Sequence, residues 1–298
     1  MLLHKRVELS GHAASIYAVC CHNDKIYSAS GDKFVAAWDI IQEKQDNFAI
    51  RTEFSNYSIE YLTETNLLII GTSTGAFYVV DVINKQELHF IVQHTSAIFS
   101  MKENRLKNQL YVADADGNLS VWNSLTWELI LFLPLLVGKI RKLLVVDQGE
   151  SIYLACQDGT IRKYDTRFFN EQLVIKAHKE GVNCMAFFPN KDQVLISGGK
   201  DGFLRVWSLK TVSCVLELPA HNFGIYQILF FNQGKHFCSI SRDKSIKVWN
   251  SVDCSVIQKI ERKQGGHSHA VNDVCKIDEQ TLCTVGDDKR LIVWDAKF

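Results

Sequence analysis

Four sets of side chains in this sequence combine a histidine, a hydroxyl and a carboxylate, the groups from which a hydrolase assembles a base, a nucleophile and the partner that orients the base. They are His12 with Ser28 and Asp32, His178 with Ser197 and Asp201, His221 with Ser239 and Asp243, and His267 with Thr284 and Asp288. A tryptophan follows each aspartate by six residues, at Trp38, Trp207, Trp249 and Trp294. Catalysis needs one reacting centre, so a set repeated at constant spacing points to a structural use, and no catalytic residue is expected. His267 and His269, in GGHSHA, have the H-x-H spacing of a metal pair, but His267 already belongs to one of the sets. Cys20, Cys21 and His22 alternate between strand faces and cannot share one ion. With no C-x-x-C pair, phosphate-cradling glycine loop or dinucleotide fingerprint, neither metal nor cofactor is expected.

The elements that position these residues emerge from their period. Asp116 with Trp122 and Asp158 with Tyr164 continue the aspartate-to-aromatic spacing, and the degenerate stretch GTSTGAFYVVD places Val80 in the same slot. The slots at 38, 80, 122, 164, 207, 249 and 294 lie 42, 42, 42, 43, 42 and 45 residues apart, so seven units fill the chain. Each unit has room for about four strands of ordinary length. Alternation in FLRVW and SIKVW gives strands with one packed face, and CQDGTI, GKDGFL and SRDKSI supply hairpin turns. The expected fold is all-β, a seven-bladed β-propeller, with blades at about 12–53, 54–93, 94–135, 136–177, 178–220, 221–264 and 265–298 plus 1–11.

In these features the whole chain resembles the WD-repeat (WD40) family. GH at 11–12 and 266–267, QH at 93–94, AH at 177–178 and 220–221, and WD at 38–39 and 294–295 stand in register with the repeat. Each His precedes a β-branched residue by four positions, at Ile16, Ile98, Val182, Ile225 and Val271. The resemblance implies a relay in which the Trp indole N–H donates to the hydroxyl, the hydroxyl to His, and His to the turn Asp. It spares each buried polar group a penalty of about 1–3 kcal/mol. The four sets named above complete it. The third unit offers His94, Asp116 and Trp122 but has Val112 where the hydroxyl belongs; the fourth keeps only Asp158 with Tyr164, and the second keeps none.

The sequence ends at VWDAKF, after the third strand of the seventh unit, and residues 3 to 9 are expected to supply the fourth strand and close the ring. With 33 basic and 33 acidic side chains there is no surplus charge for nucleic acid or anionic membrane, so neither partner is expected. Nine cysteines, mostly inside apolar runs, suit reduced buried thiols. The apolar start is too short for a signal peptide and LILFLPLLVG too short to span a bilayer, so a soluble cytoplasmic protein is expected, with the monomer favoured.

Function in such a fold lives on loops, and the resemblance places the usual partner face at the turns between second and third strands. The residues after the first-strand Ile or Val lie near the channel mouth on that face: Tyr17, Tyr57, Phe99, Arg141, Asn183, Tyr226 and Asn272. Four aromatics among them suit a protein or peptide partner, one inserting a basic side chain being the leading form; a plug of the channel mouth is the structural alternative. Lys200 and Arg242, just before the turn Asp of adjacent units, could meet an acidic segment, or stand as ordinary solvated charges. In LPLLVGK, 133–139, Leu136 falls where other units place His, and it either packs under a neighbouring loop or forms an exposed patch. The expected function is a non-catalytic protein-interaction scaffold; the alternative is a small-ligand-binding or enzymatic propeller using its channel.

Overall fold

The structure, a computed structural model, describes residues 2–297. The chain folds into seven four-stranded antiparallel sheets that form a seven-bladed β-propeller, and the described residues contain no α-helix. The first blade is representative. Ile16–His22, Lys25–Ser30, Phe34–Asp39 and Lys44–Arg51 follow one another as a meander in spatial order. Burial grades across it. The second and third strands are almost wholly buried, while the fourth alternates toward solvent because it is the sheet edge. Among the described residues no helix is long and apolar enough to cross a membrane.

The last sheet is completed from the other end of the chain. Leu2–Ser10 pairs antiparallel with Arg290–Lys297, from Leu2 opposite Lys297 to Ser10 opposite Arg290. It occupies the fourth position, outside Arg290–Lys297, Thr281–Gly286 and Val271–Lys276. A register shift between Lys5 and Val7 explains the fit, because it turns the two ends of the strand to opposite faces. Leu3 packs with Ile260 and Trp294, whereas Leu9 packs with Trp38 and Val293, both leucines being buried. Leu3 N–H donates to Gln258 Oε1 at 2.7 Å, and Gln258 Nε2 returns a bond to the Leu3 carbonyl at 3.1 Å. Glu8 meets Arg290 at 2.9 Å, as Glu217 meets Arg205 and Glu171 meets Arg162 inside blades built from contiguous chain. The ring is thereby closed by its N-terminal strand.

Packing divides the chain into two compact units, one formed by residues up to Asn56 together with those from Ala186 onward, the other by Tyr57–Met185. In the first, the aromatic rings of Phe237 and Trp249 stack at 5.8 Å and 4° within one blade. In the second, Phe77 meets Trp122 edge-on at 5.3 Å, inside a cluster with Leu62, Ile69, Met101 and Leu110.

Candidate functional site

The histidine sets converge as bracing rather than as reaction centres. In the first blade Trp38 Nε1–H donates to Ser28 Oγ at 2.8 Å, His12 Nε2 lies 2.8 Å from the same oxygen, and His12 Nδ1 lies 2.8 Å from Asp32 Oδ2. The carboxylate needs a proton on Nδ1, which leaves Nε2 to accept from the serine O–H. Asp32 also accepts the Ala13 and Phe34 backbone N–H groups, so the relay ends by fixing the turn. The same connections run through Trp249, Ser239, His221 and Asp243, and through Trp294, Thr284, His267 and Asp288. In the fifth blade Trp207 donates to Ser197 at 2.9 Å, and Asp201 meets Arg205 at 2.7 Å.

The charge states follow from this wiring. Burial raises the Asp243 and Asp288 carboxyls, yet His221 and His267 and the turn donors outweigh it and hold both well below the usual carboxylate range. Asp32 and Asp114 are lowered by the same competition. Burial also lowers His221, against the pull of Asp243. A serine whose oxygen is filled by an indole N–H and an imidazole, in a fully buried position, has no access to a substrate. Of the thiols, burial pushes Cys156 and Cys238 up to about 12, which makes them poor nucleophiles. His267 is held in its relay while His269 contacts Ser268, and among the described residues no three His, Cys, Asp or Glu side chains are grouped to hold a metal ion.

The third blade corrects the sequence reading. Its relay is complete, but it runs through Asp114 and Ser120 rather than through Asp116 with a gap at Val112. His94 Nδ1 lies 2.8 Å from Asp114 Oδ2 and His94 Nε2 2.7 Å from Ser120 Oγ, which accepts Trp122 Nε1–H at 2.8 Å. The physical reason lies in the ladder. Ser28 stands opposite Ala36 in the first blade, and Val112 stands opposite Ser120 in the third, so hydroxyl and apolar residue have exchanged strands while the oxygen keeps its place. Asp116 is exposed at the turn, and its backbone N–H donates to Asp114. A signal was available, since Asp114 follows His94 by 20 residues, as Asp32 follows His12.

The fourth blade replaces the relay by ion pairs. Arg162 joins Asp158 at 3.0 Å to Glu171 at 2.7 Å, and Tyr164 O–H donates to Glu171 at 2.9 Å. Burial, reinforced by that carboxylate, pushes the Tyr164 phenol up to about 12. In the second blade the slot is filled by Val80 and the opposing chain by Ile70, both fully buried, so no polar group there needs a partner.

The first strands begin at Ile16, Asn56, Ile98, Ile140, Val182, Ile225 and Val271, each with no exposed surface, so every candidate mouth residue is the second residue of its strand. The ladders slip there: Ile16 to Ala18, Ile98 to Ser100, Ile140 to Lys142, Ile225 to Gln227 and Val271 to Asp273 each advance two residues against one on the partner. Tyr17, Phe99, Arg141, Tyr226 and Asn272 are therefore bulge residues, outside the ladder and half-buried. Tyr57 and Asn183 hold the equivalent second position and are also half-buried.

Within Tyr57–Met185 three of these side chains meet. The Tyr57 and Phe99 rings stack at 5.7 Å and 13°, and the Arg141 guanidinium lies 4.4 Å from the Phe99 ring centre. In the other unit Asn272 is engaged internally, donating to the Ile16 carbonyl at 2.9 Å and to Asp287 at 2.8 Å, and Tyr17 packs close against Gly31. Tyr226 packs against the cluster that holds Trp294. Lys200 and Arg242 are exposed, the latter 5.9 Å from the Phe223 ring.

Four-stranded blades braced by an indole–hydroxyl–imidazole–carboxylate relay define a repeat propeller of the WD type. The family described as WD domain, G-beta repeat matches residues 4–39, 169–208, 212–250 and 258–295, and the chain belongs to this WD40 family. Among its relatives, a ribosome biogenesis protein WDR12 homolog of Trichoplax adhaerens is 26% identical over 182 residues, 51% of this chain and 42% of that protein. WD repeat-containing protein 55 of Rattus norvegicus is 23% identical over 252 residues, 83% of this chain and 65% of that protein. Kinesin-like protein KIF21B of Mus musculus is 24% identical over a 311-residue alignment, 96% of this chain and 16% of that protein. In each case the chain spans less than two thirds of the relative's own length.

Proposed function

We propose that this chain is a non-catalytic protein-interaction scaffold whose partner is a segment of another protein, bound through the bulge residues at the starts of the first strands. The observation that carries this reading is the repeated bulge. It lifts Tyr17, Phe99, Arg141, Tyr226 and Asn272 out of their ladders at one fixed position, and a bulge of this kind re-aims a side chain away from the sheet. Half-exposed aromatics on rigid strands supply contact area at small entropic cost. WD40 propellers generally bind proteins, and the histidine sets are spent on bracing the blades.

The test is affinity capture from native lysate with wild type and a variant carrying Tyr17→Ala, Phe99→Ala and Tyr226→Ala, after circular dichroism has established that both are folded. A protein retained by wild type and lost by the variant supports the reading. Equal retention by both refutes the assignment of these residues.

A further inference from the structure

Two departures from the repeat stand on the loops. In the connection at 133–139 Val137 is buried and Leu136 is 89% exposed. The other departure is Lys200 with Arg242, and beside Arg242 a ring is held out in water: Phe223 is 57% exposed, with the Arg242 guanidinium 5.9 Å from its centre. Hydrogen bonds join the three loops into one surface. The Ala220 and His221 N–H groups donate to the Gly202 carbonyl at 3.1 and 2.9 Å, which ties the Phe223 connection to the turn that carries Lys200. Ser241 Oγ donates to the Phe223 and Gly224 carbonyls at 3.1 and 3.0 Å, and Arg242 N–H to the Gly224 carbonyl at 3.1 Å, which ties the same connection to the next turn.

The other blades show that none of the three side chains is needed to build a loop. Where the connection into the sixth blade has Phe223, the others have Ala14, Ser96, Gly138, Glu180 and His269, and the aromatic Phe54 of the second is half-buried. Seven residues before the aromatic slot, where the fifth and sixth blades have Lys200 and Arg242, stand Gly31, Ser73, Ala115, Gln157 and Asp287. The charges are used unequally. Among the described residues neither the Lys200 ammonium nor the Arg242 guanidinium has a hydrogen-bond or ion-pair partner, and Lys244, two residues after Arg242, is a third exposed cation. The neighbouring carboxylates are spent: Asp201 on Arg205 at 2.7 Å, Asp243 on His221 at 3.0 Å and on Ser245, and Asp287 on Asn272 at 2.8 Å. Open cations and closed carboxylates set a positive field around one apolar ring.

We infer that Phe223, Arg242 and Lys200 form a docking site for an acidic segment of a partner protein. An apolar side chain of that segment packs on the Phe223 ring, a carboxylate next to it meets the Arg242 guanidinium, and Lys200 meets a further acidic residue. This rests on the scaffold reading and adds to it a surface outside the bulges and the charge of the partner. A guanidinium beside a ring offers a carboxylate two parallel N–H bonds along the edge that the ring leaves open. Nucleic acid fits less well. With 33 basic and 33 acidic side chains there is no surplus to track a phosphate chain, and a strand of bases needs successive rings to stack on where these loops expose one.

The experiment probes an array of capped synthetic peptides of about eight residues, in which Asp, Lys, Ser, Leu and Phe are permuted, with the whole chain. Selected peptides are then titrated by fluorescence anisotropy. The expected selection places Asp next to Leu or Phe. Arg242→Gln and Phe223→Ser should each weaken the selected peptide about tenfold, Lys200→Gln about threefold, and salt raised from about 50 to about 500 mM should weaken it as well. Arg242→Glu should move selection toward Lys-bearing peptides. Unfolding midpoints of the variants should stay near the wild-type value, since all three side chains are exposed. Selection of Lys-rich peptides by wild type, selection that Arg242→Gln and Phe223→Ser leave intact, no selection, or an oligothymidylate bound more tightly than any peptide overturns the inference. Peptide binding lost in Arg242→Gln but kept in the Tyr17, Phe99 and Tyr226 variant supports a surface separate from the bulges. Equal lysate capture by wild type and that variant removes the bulge assignment alone, whereas peptide binding lost in that variant but kept in Arg242→Gln removes this surface alone.

Discussion

Removing the Ser120 hydroxyl tests the rewired third blade most directly. Ser120 Oγ accepts Trp122 Nε1–H at 2.8 Å and lies 2.7 Å from His94 Nε2, in a residue with no exposed surface. Ser120→Ala leaves an indole N–H and an imidazole nitrogen buried without a partner. At about 1–3 kcal/mol for each orphaned group the expected loss is about 2–6 kcal/mol. Asp114→Asn should cost a comparable amount, since it removes the charge that fixes the His94 tautomer and, with its one oxygen kept for the Asp116 and Asn118 N–H groups, sets an amide NH2 against the His94 Nδ1–H. Asp116→Asn, at an exposed turn, should stay within about 0.5 kcal/mol. The assay is urea unfolding followed by tryptophan fluorescence, comparing midpoints at constant slope. Because Val112 stands opposite Ser120, adding Val112→Ser to Ser120→Ala returns a hydroxyl to the strand that carries it in the first blade, and should recover part of the loss. An Asp116→Asn variant less stable than Asp114→Asn would refute the argument, because the relay would then run where the sequence alone placed it.

Stability should fall with acid in two stages, read from urea midpoints across pH. His221, lowered by burial, gives stability that is complete above the ordinary imidazole value of about 6.5 and is lost as pH falls through its folded value. Asp32, Asp114, Asp243 and Asp288, all lowered, add a second loss as pH falls below the ordinary carboxylate value of about 4. Replacing Leu3 and Leu9 together by Ala should cost about 4–8 kcal/mol by thermal or urea unfolding, since both are buried in clusters on the closing strand. Gly159→Ala should destabilise by more than about 1 kcal/mol in the same assay, because φ is +88° and an added Cβ would lie 2.0 Å from the His178 carbonyl oxygen.

The fold was legible because burial is periodic. An aspartate six residues before an aromatic marks one hairpin, and its recurrence in six units, with Val80 in the same slot of the second, marks seven blades without any contact being known. The third blade was misread for a reason of geometry. Sequence position records which strand carries a hydroxyl, whereas the relay needs only where the oxygen lies, and Val112 and Ser120 face one another across a ladder. The bulges were invisible for a related reason. Tyr17 or Arg141 reads like any other strand residue until the partner strand is seen to advance one position against two. The alignment of His with a following β-branched residue located those positions, but not the slip that frees them. Leu136 was legible as a departure from the repeat. Its exposure depended on the Gly117 and Asp158 backbone groups that pin its neighbours, and no pattern of residue types records those.

The pairing of Leu2–Ser10 with Arg290–Lys297 also sets an order of events during synthesis. At about 5–20 residues per second, the earliest strand waits on the order of 15–60 s for the latest to be made. Through that interval Leu3 and Leu9 stay wet and the sheet edge they will cover does not yet exist. The blades between them can form as local meanders, but the pairing that turns a row of blades into a ring is the last of the propeller's own pairings to become available. Whatever shields that one strand, a chaperone or the nascent blades themselves, decides whether the row closes on itself or on a neighbouring copy.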